Sequence, residues 1–166
     1  MTNTPKTLPH IRVDLDAIGG VAGDMFVAAI SGLRPDLPVA VDAQIAKLAP
    51  PASVSARTEP TSDGVLTGTR FVVTDESAPR GDGSGDPHTH TSWSAIRQLL
   101  ENADLDPEVR GAALAIFSLL ADAEAHVHGI APEDVTFHEV GAWDSIIDIV
   151  ASATLITRLS PRTWRI

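Results

Sequence analysis

The run from Pro107 to Gly129 limits the fold more than any other part of this chain. Proline is well placed in a helix's first turn, and glycine just past the last periodic residue is a helix stop. Between them Val109, Ala113, Ile116, Phe117, Leu120 and Val127 recur at helical spacing and form the expected core stripe. So long an amphipathic helix must bury one face against other elements. The rest of the chain offers several. Ile11–Asp16 alternates as a strand, and a glycine-rich turn, Gly19-Gly20-Val21-Ala22-Gly23-Asp24, leads into a helix over Met25–Leu33 with Asp24 as its expected N-cap. A second helix covers 39–48 and closes at Pro50-Pro51. Ser53–Glu59 and Val65–Thr74 read as a hairpin across the Thr61–Gly64 turn. Helices are expected at Ser92–Glu101 and Trp143–Leu159, with a short strand at Val135–Phe137.

That order predicts an α+β (mixed α/β) fold, with a small sheet of about four strands and about five packed helices. Residues 1–9 read as a flexible N-terminus and 10–159 as a single globular domain. The stretch 75–91, rich in glycine and proline, is a flexible loop carrying His88 and His90, and 160–166 is a tail.

Composition narrows the functions. Twelve basic against 22 acidic residues give a net charge of −10, which repels phosphate backbones and anionic lipid, so neither nucleic acid nor membrane is expected as a partner. There is no cysteine, hence no disulfide, and no apolar signal core or membrane-length run. A cytoplasmic protein is expected.

Without thiolates, a transition-metal site must use imidazole and carboxylate, and these concentrate between Glu124 and Asp148. Glu124 and His128 share a helix face. His126 reads as helix-end chemistry, whereas His128 fits a helix end and a metal ligand equally. His138-Glu139 sits between a strand and a helix, where side chains are held firmly. Asp144 suits a helix N-terminus, but Asp148 lies among Ile146, Ile147, Ile149 and Val150, and a carboxylate there needs a partner. His88-x-His90 is either a solvated loop pair or a metal-delivering one. The 14–25 turn, with Asp16, Gly19, Gly20, Gly23 and Asp24, has neither a Walker A lysine nor dinucleotide-motif spacing, and reads as a tight turn or an anion cradle.

On these residues the chain resembles the LarC-type nickel insertion proteins, chelatases that load nickel into the pyridinium-3,5-bisthiocarboxylic acid mononucleotide. The resemblance rests on Gly19–Met25, the histidine-bearing loop, Ile116-Phe117, Leu120-Ala121, Ala123–Ala125, Val127–Gly129, Phe137–Ala142, Asp144–Ile146 and Asp148–Val150, and spans about 11–157. Departures are a short histidine run, Thr136 where the family has histidine, and an ending before the family's C-terminal CTP-associated domain.

Within that resemblance we read nickel as held by His128, His138 and Glu139, with His88 or His90 delivering it, roles that the resemblance does not assign residue by residue. Asp144 or Asp148 would orient a ligand or accept a proton, and the turn at Asp16, Gly19, Gly20, Gly23 and Asp24 would receive the mononucleotide. It also implies a homo-oligomer, and CTP with a divalent metal only where a separately encoded C-terminal domain is supplied. Two other readings stand beside it: a non-catalytic domain that docks on such a C-terminal half, and a metal-dependent hydrolase built on His88-x-His90. The hydrolase is disfavoured because its ligands would sit on a loop rather than on rigid strands.

Overall fold

A helix that is aliphatic on almost every side has to be surrounded, and Trp143–Leu159 is such a helix. In the computed structural model, which describes residues 11–18, 20–77, 91–137, 140–160 and 163–166, it takes the central position. The elements in order are β1 (Arg12–Asp14), α1 (Gly23–Leu33), α2 (Pro38–Leu48), β2 (Val54–Ser62), β3 (Thr67–Asp75), β4 (Thr91–Ser92), α3 (Trp93–Asn102), α4 (Pro107–His128), a 3-10 turn (Pro132–Asp134), β5 (Thr136–Phe137), α5 (Trp143–Leu159) and β6 (Thr163–Arg165). Helix α5 buries Ile146, Ile147, Val150, Ala151, Ala153, Leu155 and Leu159, and α1, α2, α4 and β3 all pack against it. Its one fully buried hydroxyl, on Thr154, donates to the Val150 carbonyl at 2.7 Å and leaves no polar group unsatisfied there.

The fold is mixed α/β, and among the described residues there are five α-helices and three separate two-stranded pairs. The hairpin β2–β3 pairs Val54 with Asp75 through Ser62 with Thr67. Its turn is closed by the Asp63 carboxylate, which accepts from the Val65 and Leu66 amides at 2.9 and 2.7 Å, while Gly64 takes a φ of +89°. In the short antiparallel pair β4–β5, Thr91 faces Phe137. The third pair changes the reading of the 160–166 segment. Thr163–Arg165 runs parallel to β1, and Trp164 packs on Phe26 of α1 with ring centroids 6.2 Å apart, so the expected tail contributes a strand.

Helix α4 has the expected bounds and ends at Gly129 with φ +66°. Its inward residues are Val109, Ala113, Phe117, Ala121 and Ala125, a step of four in which alanines let α5 approach closely. Ile116 and Leu120 are partly buried, as the stripe requires, but Val127 is 76 % exposed. It stands two residues past Ala125, about 200° further round the helix. Helix α1 begins at Gly23 with Ala22 as N-cap, so Asp24 lies inside the first turn instead of capping it. Its carboxylate accepts from the neighbouring Met25 amide at 2.8 Å.

Asp106, just before α4, ties three helices together. Its carboxylate receives Lys47 of α2 at 2.6 Å and Arg158 of α5 at 2.8 Å, and its amide donates to the buried Gln44 of α2 at 3.0 Å. Those two cations and the Gln44 contact hold its carboxyl below the usual range. On the other side Phe117 is enclosed between Trp93 and Phe137, with centroids 6.0 and 6.2 Å away. Replacing Phe117 by alanine is expected to cost about 3–5 kcal/mol in chemical denaturation; an unchanged midpoint would show that this aromatic layer is not a core.

Candidate acidic site at the crossing of two helices

Glycine at position 23 permits the closest approach in the molecule between α1 and α5. A Cβ there would lie 2.8 Å from the Asp148 Cβ and 3.0 Å from its Oδ2, closer than real side chains come. The contact brings the start of α1, with the Asp24 backbone amide, against the second turn of α5 and the Asp148 carboxylate. Asp144 lies one turn earlier on α5, where it accepts from the Ser145 amide at 2.7 Å. Together Asp24, Asp144 and Asp148 line a cavity of about 480 Å³ whose opposite wall is Arg70, Phe71, Val72 and Val73 of β3.

The three carboxylates are not equivalent. Asp24 and Asp144 are exposed, while Asp148 is half-buried among aliphatic side chains, and its Oδ1 has no hydrogen-bond partner among the described residues. Burial, followed by the nearby charges of Asp24 and Asp144, pushes its carboxyl from 3.8 up to about 6. The Asp24 amide opposes that rise without cancelling it. The cavity therefore holds one acid whose carboxyl is raised to about 6, beside the carboxyl groups of Asp24 and Asp144. Such a site can attract a cationic group and can take up or release a proton.

Of the residues singled out in the sequence, the fold brings Asp24, Asp144 and Asp148 together. Gly23 acts as the spacer that allows it. Gly20 takes a φ of +99° in the turn closed by its amide on the Ala17 carbonyl at 2.9 Å, while Asp16 is exposed and neither lines the cavity. His128 is exposed at the end of α4, 3.3 Å from Glu124, and is also outside the lining. Gly19, His88, His90, His138 and Glu139 lie outside the described residues. Among the described residues no three histidine or acidic side chains are grouped to hold a metal ion. The chain on either side of those histidines is nonetheless joined. Thr91 pairs with Phe137, and the Thr91 hydroxyl donates to the Gly141 carbonyl at 3.0 Å.

Arg70 escapes a sequence reading, which takes 65–74 as plain strand. The available signal is its cross-strand partner. Arg70 faces Glu59, whose carboxylate takes the Arg70 Nε at 2.8 Å and the Arg57 Nε at 2.7 Å and is thereby held below its usual range.

Fold and cavity define a protein with an acid-lined site suited to cations and protons. The family model described as nickel insertion protein matches residues 13–166, and the chain belongs to that family. It is 42% identical over 135 residues to a pyridinium-3,5-bisthiocarboxylic acid mononucleotide nickel insertion protein of Nocardioides sp., covering 81% of this chain and 32% of that one. Proteins of the same name from Akkermansia muciniphila (39% over 145 residues) and Geobacillus kaustophilus (36% over 148) each align with 87% of this chain and 35% of their own. The chain thus spans about a third of the length of the curated relatives it matches. No solved structure matches it, and no helix among the described residues is long and apolar enough to cross a membrane.

The raised carboxyl of Asp148 has a consequence for stability. The folded protein holds that proton more tightly than the unfolded chain, so stability falls as pH rises from about 4 through about 6. Asp148→Asn removes the burden and is expected to raise stability at pH 7 by about 1–2 kcal/mol, allowing for solvent contact. The gain should vanish near pH 4. Thermal melts of both proteins across this range check it; parallel curves would mean that Asp148 titrates as an ordinary surface acid.

Proposed function

We propose that this chain takes part in inserting nickel into the pyridinium-3,5-bisthiocarboxylic acid mononucleotide, acting in the cytoplasm as the metal-holding and proton-accepting portion of a nickel insertion protein. The observation that carries the reading is Asp148, an acid tuned to about 6 inside a cavity it shares with two other carboxylates. Insertion replaces a ring carbon–hydrogen bond with a carbon–nickel bond. The electron pair of the broken bond passes into the new one, and a proton must leave. A base whose pKa lies close to the working pH is the efficient acceptor, and Asp148 fits that task beside Asp24 and Asp144. Those two favour the cationic ring and the incoming metal electrostatically.

Nickel itself is cargo. His128, His138 and Glu139 are proposed to hold it, with His88 and His90 delivering it. Support comes from β4–β5, where the described residue after His88-x-His90 pairs with the one before His138-Glu139. Imidazole and carboxylate suit a donor that must release its metal, since thiolates would hold it harder. CTP and its divalent metal are proposed to be handled by the part of the longer relatives that this chain does not match.

Isothermal titration of nickel into the purified chain tests the holding role. His128→Ala and His138→Ala should each weaken binding by at least about tenfold. Asp148→Asn should leave nickel affinity unchanged, yet slow insertion by about a hundredfold or more when CTP and the C-terminal portion are supplied. Failure of the intact chain to bind nickel, or full insertion activity in Asp148→Asn, would overturn the corresponding half of the reading.

A further inference from the structure

The cavity's charges are unevenly placed. Three carboxylates come from the two helices, and the opposing strand contributes Arg70, the single cation among the described residues of the lining. Glu59 takes only its Nε, at 2.8 Å, and is itself steadied by Arg57 at 2.7 Å. The guanidinium is thus fixed from behind, and its two Nη groups have no acceptor among the described residues. At 56 % exposure the side chain stands at the mouth of the cavity. Arginine held in this way presents a planar fork matched to phosphate or carboxylate.

We infer that Arg70 is the phosphate anchor of the mononucleotide site, a deepening that rests on the function proposed above. At one end the pyridinium mononucleotide has a cationic ring with two thiocarboxylates, an end that turns positive overall once nickel(II) joins it, and at the other a phosphate. Three acids would welcome the ring and repel the phosphate, and the net charge of −10 adds to that repulsion. A ligand entering with its ring towards Asp24, Asp144 and Asp148 therefore needs a cation at its other end, and Arg70 occupies that place. The glycine turn before α1, the other anion-binding candidate, ends at Gly23 directly against the Asp148 carboxylate, whose negative charge disfavours a phosphate there. Beside Arg70, β3 has β2 on one side only among the described residues.

The test compares two probes by calorimetry on the whole chain: nicotinic acid mononucleotide, and its riboside, which keeps ring and carboxylate but has no phosphate. Wild-type protein should bind the mononucleotide more tightly than the riboside. Arg70→Gln should weaken the mononucleotide by about tenfold or more, leave the riboside unchanged, and flatten the salt dependence of mononucleotide binding. Arg70→Lys should recover part of the loss, as a point charge without the fork. Equal weakening of both probes would assign Arg70 to the ring carboxylate, and mononucleotide binding untouched by Arg70→Gln would remove it from the site; either result overturns the anchor while leaving the nickel reading intact. A wild-type chain that binds nickel but neither probe overturns the anchor through the substrate assignment alone. Melting curves of the variants confirm that an exposed residue has been changed without unfolding the hairpin.

Discussion

The contact between Gly23 and Asp148 is the constraint on which the rest of the site depends. Two helices can cross with backbone against side chain only where one of them carries no Cβ, and here the missing Cβ would be 2.8 Å from its neighbour. That approach has two results at once. It sets α1 on α5 tightly enough to bury part of Asp148, and it brings the acid of Asp24 near the carboxyl so buried. Moving α1 outward by the size of a methyl group would rehydrate Asp148 and return its carboxyl towards an ordinary value. Proton affinity at this position is therefore a packing property.

Charge around the crossing follows from the same geometry. Asp24 enters with the first turn of α1 and Asp144 with the first turn of α5, each placed where a helix start favours negative charge. Both act on Asp148, one turn into α5, and their repulsion adds to the burial that raises its carboxyl. The hairpin supplies the opposite sign from the other wall through Arg70, held by the Glu59 carboxylate. An acidic protein has thereby built a cavity that is negative at the helices and positive at the strand, a division suited to a ligand that is itself divided in charge.

Much of this was legible in the chain, for identifiable reasons. Pro107 and Gly129 mark the ends of α4 because their backbone preferences are local, and Asp148 stood out because four aliphatic neighbours flank it. Local signals were less dependable wherever tertiary packing decided the outcome. Val127 continues the apolar spacing of α4 but turns outward, since the helix meets its neighbours along a row of alanines. Asp24 has the chemistry of a cap, yet the close crossing at Gly23 starts the helix one residue before it. Thr163–Arg165 becomes a strand only because β1, some 150 residues earlier in the chain, offers it an edge. Arg70 joins the acids across a cavity, and no periodicity within its own strand announces such a meeting.

The central claim is that packing at one glycine makes Asp148 an acid that changes protonation near neutral pH. Following the side-chain carboxyl carbon of Asp148 by nuclear magnetic resonance as pH is varied tests it most directly. A midpoint close to 6 is the expected result. A midpoint near 3.8 would contradict it and remove the proton acceptor from the proposed chemistry.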